Sequence, residues 1–181
     1  MFILYAVLVG LLAGLALGGR LGGLADLRFH WPWVFMAGLA VQVVLFSDAV
    51  TGRIGELGAP IYVLSTLVVL VAVLANRRIA GMPVVALGAL SNLAAIVANG
   101  GYMPTSVEAM AALGKVPKTV YSNSTLAPDP ALAPLTDIFA MPSWLPWANI
   151  FSIGDVLIGV GVVIVIVSAM RRPGSTASVA S

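Results

Sequence analysis

Residues 149–172, "NIFSIGDVLIGVGVVIVIVSAMRR", give the clearest indication of the fold class. This stretch is an almost continuous apolar run, as long as the ~20 residues that a membrane-spanning helix needs, and it ends on two arginines. Ser152 and Asp155 have the three-residue spacing of a capping box, which predicts a helix start here. Asp155 is also the only acidic residue inside any long apolar segment, so the same stretch marks a possible site.

The composition of the whole chain extends this interpretation to a membrane protein. The 181 residues are 60% hydrophobic and only 9% charged, with a mean hydropathy of +1.06, whereas soluble domains carry about 25% charged residues. The absence of cysteine excludes disulfides, thiolate metal sites and thiol catalysis. A net charge of +2 is too small and too dispersed to indicate nucleic-acid binding.

The apolar segments predict an all-α membrane protein. Five of them suit a membrane span, namely 2–18, 31–48, 60–76, 82–99 and 150–170. Pro32, Pro60 and Pro83 each open one of these segments, where the missing N–H costs nothing. The sequence thus predicts five transmembrane helices in a single domain, residues 1–172, followed by a disordered tail, 173–181.

Basic residues predict the orientation of these helices. If the five segments alternate, six arginines fall on one side of the membrane: Arg20, Arg28, Arg77, Arg78, Arg171 and Arg172. The positive-inside rule makes that side cytoplasmic, with the N-terminus outside and the tail in the cytoplasm. The first segment has no basic residue before its apolar part, so we expect an uncleaved span rather than a signal peptide.

The longest segment between spans, about 100–148, is external in this topology and is predicted to be partly helical. Within it, "TSVEAMAALGKV" (105–116) has capping-box spacing from Thr105 to Glu108 and a stop at Gly114. A structured loop of this length often has a function.

Polar residues within the spans converge on the outer side, beneath this loop. Buried polar groups need partners, so we expect them to face one another or a wet cavity. The candidate ligand-binding residues are Gln42, Asn92, Asn99, Tyr102, Asn149, Ser152 and Asp155. Together they predict a shallow polar pocket that is open to the outside.

Each candidate also has a purely structural interpretation. Asp155 can serve only as a helix cap, favoured by the N-terminal dipole. Asn92 and Gln42 can simply make interhelical hydrogen bonds. Tyr102, after two glycines, can belong to a helix-exit turn rather than to a pocket lip.

A row of glycines at four-residue spacing lies along the first span: Gly10, Gly14 and Gly18. Such a row lets helices approach closely in lipid. It favours packing within this chain or, alternatively, docking of a partner membrane protein or a second copy.

Motifs of soluble enzymes are missing from the sequence. It has no Gly-rich phosphate loop, no helical pair of histidines and no Ser-His-Asp constellation on one side. We therefore expect no catalytic residues, no metal and no cofactor, and an enzyme is the less favoured class.

Three stretches together resemble a known family: "GGRLGGLADLRF" after the first span, "NLAAIVANGGYMPTS" at the fourth, and "NIFSIGDVLIGVGV". The chain is similar to small multi-pass bacterial membrane proteins that form a domain family of unknown function. The resemblance implies a multi-pass protein of the bacterial inner membrane and brings no activity to transfer.

Three functions remain open at this point. The leading hypothesis is an accessory or binding subunit whose outward-facing polar pocket takes a lipid-like or small ligand, or a partner protein. The second is a small oligomeric transporter that uses Asp155, and the third is an intramembrane enzyme acting on a lipid headgroup through Asp155 and Ser152.

Overall fold

A computed structural model of the chain describes residues 2–114, 124–126 and 129–172. Helices dominate this part. Its α-helices are α1 (Phe2–Ala16), α2 (Gly22–Ala25), α3 (Pro32–Leu45), α4 (Asp48–Thr51), α5 (Gly58–Ala75), α6 (Met82–Ala98), α7 (Val107–Ala112) and α8 (Ile153–Met170). Two 3-10 helices cover Gly55–Leu57 and Ala133–Leu135 within the same residues. The predicted disordered tail, 173–181, lies outside the described residues.

All five predicted apolar segments are helical, and their starts follow the sequence signals. Pro32 and Pro83 lie in the first turns of α3 and α6, where backbone N–H groups have no partner within the helix. Pro60 is the third residue of α5, which begins at Gly58, so it too lies in a first turn but does not open the helix. Ser152 is the N-cap of α8, as predicted.

The long helices differ in how well they match a membrane. Within the described residues, two are long and apolar enough to cross one, Gly55–Ala75 with a hydropathy of 2.4 and Ile153–Met170 with 2.5. Only 28% of the apolar stretch of the first helix and 33% of that of the second are buried inside the protein. Neither helix therefore resembles the core helix of a soluble fold, which is mostly buried. The helices α1, α3 and α6 are apolar but shorter, at 15, 14 and 17 residues.

The long helices pack in the order α1, α8, α6, α5, α3. Helix α6 lies at the centre of this series, between α8 and α5, and α8 lies between α1 and α6. Near approaches of Gly10 to Ile166 and of Phe2 to Gly159 make α1 and α8 parallel, and the contact of Gly88 with Gly154 fits an antiparallel α6. The outermost helices, α1 and α3, are not closely packed against each other.

The six arginines of the topology argument gather at one end of the helices, which we call the arginine end. The backbone N–H of Arg20 donates to the Met170 carbonyl at 2.7 Å, which ties the end of α1 to that of α8. Arg77 and Arg78 lie in the turn between α5 and α6, at the same end. The opposite end contains the start of α8, and we call it the Asp155 end.

The described residues between 99 and 151, namely 99–114, 124–126 and 129–151, form a cap over the Asp155 end. These residues contain four short strands: β1 (Met103–Thr105), β2 (Ser124–Leu126), β3 (Phe139–Ala140) and β4 (Ile150–Phe151). Strands β1 and β2 pair in parallel, and β3 and β4 pair antiparallel. The prediction for this segment was a partly helical loop and did not include the strands, because each is only two or three residues long.

The predicted cap helix exists but begins later than expected. Ser106, not Thr105, is the N-cap of α7, and its hydroxyl accepts a hydrogen bond from the Ala109 N–H at 3.0 Å. Thr105 belongs instead to β1. Gly114 has a φ of +60°, the left-handed conformation that commonly ends a helix.

Two glycines of the first-span row are used for packing inside the chain. Gly10 and Gly14 are buried against α8, where a Cβ on Gly10 would lie 3.0 Å from Ile166 Cδ1. Gly18 has open space instead, with no described atom within 4 Å of its hypothetical Cβ. An intermolecular contact through this row therefore stays a prediction, and only Gly18 presents free surface for it.

Candidate functional site

A close crossing of α6 and α8 positions the site. Gly81 and Gly88 on one side meet Gly161 and Gly154 on the other, and each pair is spaced by seven residues, about two helical turns. A Cβ on Gly154 would lie 2.8 Å from the Gly88 carbonyl oxygen. No real side chain tolerates that distance, so only glycine allows these backbones to pack directly.

Asp155 lies at the N-terminus of α8, in a complete capping box. The Ser152 hydroxyl accepts from the Asp155 N–H at 3.1 Å, and Asp155 Oδ2 accepts from the Ser152 N–H at 3.0 Å. The positive end of the helix dipole favours a carboxylate here. One oxygen of Asp155 is thus engaged by its own helix.

Asn92 joins this capping box to α6. Its Nδ2 donates to Asp155 Oδ1 at 2.9 Å, and its Oδ1 accepts from the Ser152 hydroxyl at 2.8 Å. The three side chains therefore form one closed network across the two helices. Ser152 is fully buried in it, at 0% exposure.

A cavity of about 420 Å³ lies beside this network, enclosed by the long helices and the cap. This volume is within the range of small-molecule sites, roughly 300–1,000 Å³. Its polar lining residues are Gln42, Tyr62, Asn92, Asp137, Asn149 and Asp155. Its apolar lining residues are Phe2, Ile3, Leu39, Ile96, Met103, Ile150 and Ile158.

The polar lining is rich in acceptors and has no cation. Asp137 and Asp155 contribute carboxylates, and none of the described lining residues is Lys, Arg or His. Asn149 donates from Nδ2 to the Ile150 carbonyl at 2.9 Å, but its Oδ1 is buried without a hydrogen-bond partner. A buried acceptor without a partner costs about 1–3 kcal/mol.

The structure brings four of the seven predicted site residues to this cavity: Gln42, Asn92, Asn149 and Asp155. Gln42 reaches it from α3, where its Nε2 also donates to Thr66 Oγ1 at 3.3 Å. Ser152 lies behind the wall, in the closed network.

Asn99 and Tyr102 do not line the cavity. Asn99 instead holds the cap, since its Oδ1 accepts from the Ala131 N–H at 2.9 Å and its Nδ2 donates to the Ala131 carbonyl at 2.9 Å. Tyr102 is half-buried in the turn before β1. The structure therefore assigns Asn99 to the attachment of the cap.

The sequence analysis missed Tyr62 and Asp137 as cavity residues. Tyr62 lies in α5, one turn before Ser65 and Thr66, so its depth alone could have suggested it. Asp137 is buried at 9% exposure and reaches the cavity only because its backbone is held to β1, with its N–H donating to the Pro104 carbonyl at 2.9 Å. No local signal indicates that contact.

The described residues of this site do not include a set of metal ligands. Over the described ranges, no group of three or more His, Cys, Asp or Glu residues is placed to hold a metal ion.

Comparison with protein families places the chain. A family of unknown function, DUF5317, matches residues 26–167, well over half of the chain, and the protein belongs to this family. Comparisons with curated proteins and with solved structures find no match.

Proposed function

We propose that this protein is a multi-pass membrane protein whose five long helices form a single transmembrane domain. Two helices that meet the length and hydropathy of a span support this placement, as does their low burial. The shorter α1 and α3 also expose large apolar side chains, such as Leu8 at 52% and Val43 at 73%. The arginine end then faces the cytoplasm and the Asp155 end faces outward.

Single-cysteine labelling tests this orientation, since the chain has no cysteine of its own. Ser143→Cys in the cap and Ala80→Cys at the arginine end are both at exposed positions. A membrane-impermeant maleimide added to intact cells should label Ser143→Cys and leave Ala80→Cys unlabelled until lysis. The reverse pattern would invert the orientation, and labelling of both before lysis would contradict the placement.

We further propose that the protein is a binding subunit rather than an enzyme, and that its ligand occupies the 420 Å³ cavity. The cavity lining carries this proposal, because Asp137, Asn149 and Asp155 bring acceptor groups to a cavity whose described lining includes no cation. The complementary ligand presents hydrogen-bond donors, as an ammonium or a polyol headgroup does, and has an apolar part for the remaining wall.

The geometry gives less support to the two alternatives. An enzyme that uses Ser152 needs an accessible hydroxyl, but this hydroxyl is buried and donates to Asn92. A transporter needs a polar path toward the arginine end. In the described part of the chain, the layer below the cavity is instead apolar, with Phe35, Val69 and Val162 packed on the core.

Two amphiphiles with the same chain and different headgroups test the ligand class. Decylamine or decyl glucoside is added to the protein in phosphatidylcholine nanodiscs, and thermal unfolding is followed by tryptophan fluorescence. The amine or the glucoside should stabilise the protein, and Asn149→Ala should weaken that binding roughly fivefold, the effect of one lost hydrogen bond of about 1 kcal/mol.

The matched control is the double variant Arg77→Gln/Arg78→Gln, which changes the other end of the molecule. It should bind the amine and the glucoside as the unchanged protein does. Equal stabilisation of the unchanged protein and the Asn149→Ala variant would contradict binding in this cavity. If Gln42→Leu were equally without effect, the proposal would fail.

A further inference from the structure

A pair of cavities lies at the arginine end, away from the proposed ligand site. One, of about 240 Å³, is lined by Arg28, His30, Arg77 and Arg78 together with Ala75, Asn76 and Ile79. Its three guanidinium groups come from two separate segments, and none of the described residues that line it is acidic. This end is therefore suited to an anion.

A buried asparagine fixes the shape of this basic cavity. Asn76 is 5% exposed, and its Oδ1 accepts from the His30 N–H at 2.7 Å while its Nδ2 donates to the His30 carbonyl at 2.9 Å. Both backbone groups of His30 are thus bound to the end of α5. Arg28 is consequently held close to Arg77 and Arg78, which line the same cavity.

An apolar cavity of about 420 Å³ adjoins the basic one, and both are lined by His30 and Asn76. Its walls are almost entirely apolar, with Phe35 from α3, Val85 from α6 and Val162 from α8. A basic mouth next to an apolar chamber has the chemistry of an anionic lipid, with a phosphate at one end and a hydrocarbon chain at the other.

We propose that the arginine end binds an anionic amphiphile, with its phosphate on Arg28, Arg77 and Arg78 and its acyl chain in the apolar cavity. Guanidinium groups bind phosphate oxygens bidentately, which favours arginine at such a site. Basic pockets between helices on the cytoplasmic side are known to suit anionic headgroups. The proposal uses the membrane placement given above, but it is independent of the cavity at the Asp155 end.

The competing explanation is that these arginines act only in topology, as surface charge. The two explanations predict different effects for arginines at different positions. Arg171 and Arg172 lie at the same end as Arg77 and Arg78 but line neither cavity. Removing either pair changes the net charge equally. Only the pair at the cavity should change lipid selectivity.

The test is native mass spectrometry of the protein released from nanodiscs of phosphatidylcholine and phosphatidylglycerol with identical acyl chains. The unchanged protein and Arg171→Gln/Arg172→Gln should retain phosphatidylglycerol over phosphatidylcholine. Arg77→Gln/Arg78→Gln should lose that preference roughly tenfold or more, at about 1 kcal/mol per arginine. Equal losses in both double variants, or no preference in the unchanged protein, would overturn the proposal.

Two further measurements keep the result interpretable. Glycerol phosphate and inorganic phosphate carry the anion without the chain, and stabilisation by either one equal to that by phosphatidylglycerol would overturn the acyl-chain part. The unfolding midpoint and the labelling of Ala80→Cys check that the variants fold with the same orientation. If the double variant does not fold, Arg28→Gln provides the same test from another segment.

Discussion

The two ends of this helical protein are built on the same five long helices but have opposite chemistry. At the Asp155 end, carboxylates and amides line a cavity without any described cation, and Asn92, Ser152 and Asp155 bond one another. At the arginine end, three guanidinium groups line a cavity that adjoins a nearly pure hydrocarbon chamber. The comparison separates groups that build the fold from groups that are left available to a ligand.

Most of the polarity at the Asp155 end is structural. Asp155 is bonded on both oxygens, one to its own helix and one to Asn92. Among the described side chains of the cap, Asn149 Oδ1 and Thr105 Oγ1 are buried without a hydrogen-bond partner, and the sequence does not distinguish them from the others. At the arginine end most of the charged groups are not used structurally. One buried residue, Asn76, makes the hydrogen bonds that hold the fold, and the arginines remain exposed.

The largest expected effect comes from breaking the helix crossing that holds the Asp155 end together. In Gly154→Ala, the added methyl group would collide with Asn92 Oδ1 and the Gly88 carbonyl. We expect the free energy of unfolding to fall by about 3 kcal/mol, from overpacking and from the disrupted hydrogen bonds. Unfolding in mixed micelles with increasing sodium dodecyl sulfate measures this change.

Gly52→Ala is the control for that substitution, since the space around Gly52 is open and its φ of −75° suits alanine. It should leave the free energy of unfolding unchanged or slightly higher. Equal stability of the two variants would mean that the α6–α8 crossing does not depend on the absence of a Cβ.

An intermediate effect is expected from removing the link between the helices while leaving the crossing intact. Asn92→Ala deprives the Ser152 hydroxyl and Asp155 of their partner on α6. We expect the free energy of unfolding to fall by about 2 kcal/mol, because the remaining donor and acceptor are left without a hydrogen-bond partner. Gln42→Ala removes a longer bond on the opposite wall and should cost less than about 1 kcal/mol.

A double-mutant cycle with Asp155→Asn sharpens this test. If the network acts as a unit, the two substitutions should be coupled by at least about 0.5 kcal/mol. Strict additivity, measured by the same unfolding experiment, would show that Asn92 and Asp155 stabilise the fold separately.

The smallest global effect is expected at the cap. Asn99→Ala removes both hydrogen bonds to Ala131, so hydrogen exchange of the Ala131 amide should accelerate more than tenfold, while the free energy of unfolding changes by under ~0.5 kcal/mol. The amide protons of α6 serve as an internal reference. Unchanged exchange at Ala131 would show that other contacts hold the cap in place.

Much of the fold follows from the sequence, because hydrophobic runs, prolines and a capping box are local signals. They predict the five long helices and the N-cap of α8 at Ser152. The depth of each polar residue along its helix also predicts that Gln42, Asn92, Asn149 and Asp155 lie near one another, and all four line one cavity in the structure. The clustering of the arginines at one end also follows from alternation of the helices. Their shared cavity does not, because it depends on how Asn76 binds a distant loop.

The errors arise where the regular helix stops. Asn99 is seven residues from Asn92, which places both on one helical face only while the helix continues. Asn99 is the residue at which α6 ends, and its side chain turns to the cap. Asp137 was missed for a related reason, since pairing across the cap, and not periodicity, brings it to the cavity.

One experiment with two variants and two ligands tests whether the Asp155 end binds a cationic headgroup and the arginine end an anionic one. Unfolding midpoints would be measured for Asn149→Ala and for Arg77→Gln/Arg78→Gln, each with decylamine and with phosphatidylglycerol. We predict that Asn149→Ala loses stabilisation by the amine alone and that the arginine variant loses stabilisation by phosphatidylglycerol alone. Loss of both responses in either variant, or of neither response in both variants, would contradict the division of the molecule into two sites.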